Sequence, residues 1–160
     1  MKRSGLSVAL LGFGITLMLV ACTQPTTVKF EGQREATSPH GKELWLSVVP
    51  LTGVGRVNAN GAAQAHYFED GTFVLSLGLN IDPASKGSLY TGWLIREDGT
   101  DVQPIGILVN LKGDVRHQAS FQSTKDLRDH PRLQITLADE ASAGEPGRLV
   151  AEGFLKQVRQ

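Results

Sequence analysis

Cysteine is almost absent from this chain, which has a single one, Cys22, among its 160 residues. With no second thiol to pair with, the chain cannot form an internal disulfide, so core packing alone has to hold the folded part together. Methionine is equally scarce, since only Met1 and Met18 occur and both precede Cys22. A blue-copper site needs a cysteine, two histidines and usually a methionine. That class of site is therefore excluded if the segment before Cys22 is removed and Cys22 is modified.

An excess of charge of one sign is also missing. The chain has 16 Lys and Arg against 16 Asp and Glu, and beyond Cys22 the balance is 14 against 16. The two signs are interspersed, with no basic stripe that could follow a phosphate backbone. We therefore predict no nucleic-acid partner.

Signatures of catalysis are missing as well. No G-x-S-x-G occurs, and no glycine-rich loop leads from a strand into a helix. Asp98, Asp101 and Asp114 lie near turns, but Asp98-Gly99-Thr100-Asp101 lacks the oxygen-ligand spacing of a calcium loop. A simpler role accounts for these aspartates, in which each carboxylate accepts a hydrogen bond from the nearby backbone of its own turn. The sequence predicts a protein that is not an enzyme and carries no cofactor.

The chain does begin with the pattern of an export signal. Lys2 and Arg3 precede an apolar stretch at residues 6–18, which is short for a membrane-spanning helix but typical of a signal peptide. The residues Leu19-Val20-Ala21-Cys22 resemble the lipobox of bacterial lipoproteins. This resemblance implies cleavage between Ala21 and Cys22 and a diacylglycerol on the Cys22 sulfur. The alternatives are an uncleaved anchor helix and an ordinary signal peptide with an incidental cysteine.

These features predict three segments and a location. Residues 1–21 are a lipoprotein signal peptide, residues 22–42 are the lipidated cysteine and a polar, flexible tether, and residues 43–160 are one folded domain. Within the tether only Val28-Lys29-Phe30 hints at an extra edge strand. We expect a bacterial envelope protein that is lipid-anchored and faces outside the cytoplasm.

From Glu43 onward the sequence alternates between apolar and polar residues, in short runs broken by turns. Strands are expected near residues 44–48, 61–68, 73–81, 89–96, 105–109, 115–122, 133–137 and 149–156. Asp70-Gly71 and Asp98-Gly99 lie in two copies of the turn sequence EDGT, which predicts hairpins of type I′. One helical turn is expected at residues 123–130. The fold class predicted is all-β, an antiparallel β-sandwich of about seven to eight strands.

The histidines offer the only candidates for a metal site. His66, His117 and His130 lie in the domain and His40 in the tether, but none forms a metal-binding spacing. His117 shares strand parity with Ala119 and Phe121, which predicts a half-buried histidine at a strand edge. His66 and His130 are expected at surface or turn positions. We predict no metal, and keep a site built from these three histidines and carboxylates as the alternative.

Tryptophan provides the two largest apolar side chains of the domain. Trp93 shares parity with Leu89 and Ile95 and is expected in the core. Trp45 lies on the opposite face of its strand from Leu44 and Leu46. It either packs against the returning chain or forms an exposed contact.

Several stretches in the second half of the domain resemble the C-terminal domain of the anti-sigma-K factor family. They are Tyr90-Thr91-Gly92-Trp93-Leu94, Asp98-Gly99-Thr100, Pro104-Ile105-Gly106, Leu133-Gln134-Ile135-Thr136-Leu137, Pro146-Gly147 and Val150-Ala151-Glu152-Gly153. The resemblance covers residues 67–155 and implies an extracytoplasmic β-sandwich. Members of that family carry a cytoplasmic sigma-binding domain and a membrane helix before this module, and this chain has neither. No sigma factor is therefore expected as a partner, and the resemblance provides no catalytic residues.

Together these observations predict a membrane-anchored, non-enzymatic lipoprotein. Its domain would bind an envelope protein or glycan, with sensing as one role it could serve. The alternative is a metal-binding envelope domain that uses the histidines and carboxylates.

Overall fold

The computed structural model describes residues 38–110 and 114–158, and they form nine β-strands. The strands are β1 (Glu43–Gly53), β2 (Asn60–Phe68), β3 (Phe73–Asn80), β4 (Ser88–Ile95), β5 (Val102–Ile107), β6 (Val109–Asn110), β7 (Arg116–Ser123), β8 (Arg132–Asp139) and β9 (Arg148–Phe154). A single 3-10 turn, Glu140–Ser142, precedes β9. In the described part of the chain no helix is long and apolar enough to cross a membrane.

The strands pair in one antiparallel sheet with the order β5-β4-β8-β9-β1-β2-β3-β7-β6. The sheet curls until β5 lies against β7, so it is nearly closed. This confirms the predicted all-β antiparallel class. The strand count rises from eight to nine because the run at 105–109 is interrupted at Leu108. Its side chain is buried and its N–H donates to the carbonyl of Tyr90 at 2.9 Å.

Both EDGT sequences form the hairpin turns that were predicted, but not of type I′. That type needs positive φ at both central residues, whereas among the described residues only glycines have positive φ. In the first turn Gly71 has φ +83°, and its N–H donates to the carbonyl of Phe68. Gly99 repeats this arrangement with φ +76° and the carbonyl of Arg96. The pattern matches the type I turn with a glycine bulge, which also suits the twist of a hairpin.

The core fills the inside of the curled sheet with alternate residues of nearly every strand. Leu51, Leu75, Leu79, Leu94, Leu133 and Ile135 are among its fully buried members. Gly92 is part of this packing, because a Cβ built there would lie 2.5 Å from the Cδ1 of Ile105. Trp93 is buried as predicted but lies outside the main cluster, and its Nε1–H donates to Thr136 Oγ1 at 2.8 Å.

The segment between β7 and β8 is not the helical turn that was predicted. Residues 124–131 form bends and turns instead. β7 and β8 lie far apart in the strand order, so this segment has to cross one end of the nearly closed sheet. Leu127 and His130 point inward from it and are fully buried. Tertiary packing of these two side chains takes precedence over the local capping signal of Ser123, whose Oγ accepts only from Lys125 N–H.

Strand β1 has apolar residues on both faces. Trp45, Val49 and Leu51 point into the core, so the packing alternative for Trp45 is confirmed. The alternating residues Leu44 and Val48 face outward instead.

The end of the chain then runs beside β1. Lys156 N–H donates to the buried Ser47 Oγ at 2.9 Å, and Val158 N–H donates to the Leu46 carbonyl at 2.9 Å. The tail thereby continues the contact between β9 and β1.

Several predictions fall outside the described residues. They are the signal peptide at 1–21, the lipidated Cys22 and the tether up to residue 37, together with most of the turn at 112–114.

Candidate interaction surface

The three histidines of the domain lie in three different environments. His66 projects outward from β2, where its Nδ1 lies 2.7 Å from Glu43 Oε2 and its ring stacks on Phe68. It is partly exposed, in agreement with the surface position that was predicted. One ring nitrogen is thus already engaged by a carboxylate.

His117 is buried at the start of β7, not half-buried as predicted. Its Nδ1 lies 2.9 Å from the Val115 carbonyl, and its Nε2 lies 3.2 Å from Asn110 Nδ2. The ring of Tyr90 packs edge-on against it. A carbonyl accepts and an amide NH₂ donates, so each ring nitrogen of His117 faces a hydrogen-bonding group of the protein. Both nitrogens are in use, which leaves none for a metal.

His130 is fully buried, although a surface or turn position was predicted. The turn part of that prediction holds, because residues 128–129 form a turn. The side chain, however, enters the end of the core between two carboxylates. Its Nδ1 lies 2.5 Å from Asp129 Oδ1 and its Nε2 lies 3.2 Å from Asp101 Oδ2.

Around His130 an ion-pair network ties the 124–131 segment to the β4–β5 hairpin. Lys125 Nζ lies 2.6 Å from Asp101 Oδ2, and this hydrogen bond holds the pKa of Asp101 below its ordinary value. Arg96 bridges the same Asp101 at 3.0 Å and Asp129 at 3.1 Å. Each charged group has an opposite partner, so the network secures the segment that closes this end of the sheet.

The described residues contain no group of three His, Cys, Asp or Glu side chains placed to hold a metal. His66, His117 and His130 are not brought together. The turn aspartates behave in two ways. Asp98 and Asp114 accept hydrogen bonds from the backbone of Thr100 and Arg116, as predicted. Asp101 instead belongs to the ion-pair network described above.

The most unusual surface is the outer face of four neighbouring strands, β1, β2, β3 and β7. Its outward residues are, strand by strand, Leu44, Leu46, Val48, Pro50 and Thr52; Asn60, Ala62, Gln64 and His66; Val74, Ser76, Gly78 and Asn80; Arg116, Gln118, Ser120 and Gln122. Among these only His66 and Arg116 can carry a charge, and they lie at opposite ends. In a chain with 20% charged residues this is a marked depletion. We call this surface the neutral face.

One side of the neutral face is apolar. Leu44 is 49% exposed and Val48 is 50% exposed, although both are in a regular strand. Phe154 and Val158, beyond β1, are also exposed. Depletion of charge together with exposed apolar side chains is typical of the centre of a protein–protein interface.

The other side of the neutral face is a groove of about 630 Å³. Its floor consists of small and uncharged polar residues of β2, β3 and β7 together with Leu77, and the segment that carries Ile107 and Val109 lines its far side. Both of these side chains are more than half exposed, with Ile107 at 51% and Val109 at 63%. The groove is shallow and open to solvent.

The sequence alone did not reveal the neutral face, because its residues come from four separate strands. One signal was available: β1 is apolar on both faces, which is more than a strand with one solvated face requires. Gly78 offers another, since it interrupts the apolar run of β3 between Leu77 and Leu79.

No protein-family model, curated protein or solved structure matches the chain. These comparisons do not connect it with the anti-sigma-K factor family, so that resemblance stays a prediction from the residues quoted above.

Proposed function

We propose that this chain is a membrane-anchored lipoprotein of the bacterial envelope whose β-domain is a non-enzymatic binding module. The lipid on Cys22 would hold it at the membrane, facing outside the cytoplasm. The domain would bind an envelope protein or glycan, and a sensing role is compatible with that activity. The anti-sigma-K resemblance agrees with an extracytoplasmic module of this kind.

The observation that carries the binding proposal is the neutral face. Along the strands of a sheet with one solvated face, the residues that point to solvent are normally polar or charged. This face instead combines the exposed Leu44 and Val48 with a groove. Exposed apolar side chains on a strand favour aggregation unless a partner covers them. The buried side of β1 already satisfies the core, so folding does not require the outward residues to be apolar.

The metal-binding alternative receives no comparable support. It requires at least two of the histidines to approach a common point within about 2 Å of a metal. His117 uses both of its ring nitrogens in other contacts, and His130 is enclosed between Asp101 and Asp129. A non-enzymatic, metal-free binding module is therefore the function proposed.

The anchor can be tested at the N-terminus of the mature chain. Intact-mass spectrometry of the protein purified from membranes should find Cys22 as the first residue, with the added mass of acyl chains. Replacing Cys22→Ser should abolish the added mass. An unmodified Cys22, or a chain that still begins at Met1, would contradict the anchor proposal.

The binding surface can be tested with two matched valine variants. Val48→Glu places a charge on the neutral face, whereas Val102→Glu places the same charge on β5, where the valine is also exposed. Both should melt close to the wild type, because surface substitutions change stability by about 0.5 kcal/mol. When the tagged protein is used to capture partners from solubilised envelope, only Val48→Glu should lose the captured component. Equal capture by both variants would place binding elsewhere.

A further inference from the structure

The groove on the neutral face has a gap in its floor at Gly78. Ala62, Gly78 and Gln118 lie side by side on β2, β3 and β7, and Gln64, Ser76 and Ser120 form the next row. A Cβ built on Gly78 meets nothing within 4 Å, and its φ is not positive. Neither a turn nor close packing accounts for this glycine. A strand glycine of this kind leaves open space above the sheet, where a ligand or another backbone can approach closely.

The polar side chains of the groove are uncharged and available for hydrogen bonds to a ligand. Within residues 38–110 and 114–158 no hydrogen bond engages the side-chain amides of Gln64 and Gln118 or the hydroxyls of Ser76 and Ser120. An amide side chain both donates and accepts, as a peptide bond does. None of the lining residues is charged, so an ionic group of a ligand that is turned toward the floor would find no partner of opposite charge.

The far side of the groove is an apolar ridge. Ile107 and Val109 flank the buried Leu108 and project from the segment that joins β5 to β6. None of the lining residues is aromatic, so the groove has no ring on which a sugar could stack. An apolar ridge beside neutral amides instead suits a chain that alternates apolar side chains with peptide groups.

The size of the neutral face favours a single extended segment as its occupant. Four strands spaced by about 4.8 Å and a length of about eight residues give roughly 19 by 27 Å. This planar extent is on the order of 500 Å², and a standard protein interface takes about 800 Å² of accessible surface from each partner. A single extended segment fits within this extent, whereas a second copy of this chain would have to contact surface beyond the four strands as well.

From these observations we propose that the groove binds an extended, uncharged peptide segment of a partner protein. This inference rests on the proposed binding function and names its ligand class. Neutral side chains of the segment would lie over Gly78, and its apolar side chains would contact Ile107 and Val109. Its peptide groups would meet the amides of Gln64 and Gln118.

The test uses the purified full-length chain in detergent and a phage-displayed library of random short peptides as the probe. Selected peptides should lack charged residues and should bind the wild type. Gly78→Trp fills the groove and should weaken binding by at least about tenfold. Gly144→Trp is the matched control, because Gly144 is exposed, faces open space and has no positive φ, and it should bind as the wild type does.

A second variant tests the inference even if Gly78→Trp fails to fold. Val109→Ser removes the most exposed apolar side chain of the ridge, so it should keep the fold and still weaken binding. Peptides that bind Gly78→Trp and Val109→Ser as well as they bind the wild type would overturn the inference, as would a selection that yields only charged peptides. Recovery of no peptide, or binding of neutral oligosaccharides in place of peptides, would overturn it too. In each case, loss of the envelope partner in Val48→Glu but not in Val102→Glu would still support the proposed function.

Discussion

Leu127→Ala should lower the free energy of unfolding by more than is usual for a residue in a segment outside the strands. Leu127 is fully buried although it lies in the irregular segment between β7 and β8. The substitution removes three carbons, which amounts to about 2.4 kcal/mol of transfer free energy at 0.8 kcal/mol each. It also leaves a cavity that the ion-paired segment cannot close, so the total should reach roughly 3 kcal/mol, within the usual range for Leu→Ala.

Urea unfolding followed by tryptophan fluorescence measures this free energy. For a domain of this size the same loss should lower the melting temperature by on the order of 10 °C. Leu44→Ala is the matched control, because Leu44 is half exposed on the neutral face and should lose less than about 1 kcal/mol. A change below about 0.5 kcal/mol for Leu127→Ala would show that the segment does not close the end of the sheet.

Two further predictions concern stability. Gly61→Ala should destabilise the domain by about 1–3 kcal/mol, because the new Cβ would lie 2.1 Å from the carbonyl oxygen of Gly78. In thermal melts the control Gly144→Ala should have the melting temperature of the wild type. Equal melting temperatures for the two variants would contradict the predicted clash. The hydrogen bond from Lys125 lowers the pKa of Asp101 below its ordinary value of 3.8. The Lys125–Asp101 pair therefore stabilises the fold above pH 3.8, and this stabilisation is lost as the pH falls through the pKa of Asp101 in the folded state. Lys125→Met should therefore melt earlier than wild type at about pH 6, with a difference that shrinks below about pH 4, and a difference independent of pH would contradict this reasoning.

The strands could be predicted from the sequence because alternation and turn residues act locally. Seven of the eight predicted runs each correspond to one strand and the run at 105–109 is divided between β5 and β6, and both EDGT turns lie where the hairpins reverse. The turn type could not be predicted in the same way. Asp-Gly is compatible with two hairpin geometries, and the structure chooses the one in which only the glycine has positive φ.

The direction in which β1 faces could not be read from its sequence. Leu44, Leu46 and Val48 share one parity, and Trp45, Val49 and Leu51 share the other, which Ser47 interrupts. A shift of one residue exchanges the two faces, so the choice depends on pairing with neighbouring strands. In the structure Val49 lies opposite Ala63, whose small inward side chain leaves room for it in the core. The neutral face is a consequence of that pairing.

The burial of His130 was missed for a similar reason. A histidine before a proline reads as a surface turn, and no local signal shows that the turn crosses the end of a sheet. Its position depends on Asp101, which lies on a hairpin distant in sequence. Contacts of this kind follow from topology and are invisible to a local pattern.

The most direct measurement of where this protein binds is side-chain footprinting with hydroxyl radicals. The purified chain would be oxidised alone and with the component captured from solubilised envelope. The proposed function predicts that Leu44, Val48 and Val109 become protected, while Val102, which is exposed elsewhere, keeps its reactivity. Protection confined to Val102 or to the charged end around Arg96, with Leu44, Val48 and Val109 unchanged, would contradict the neutral face as the binding surface.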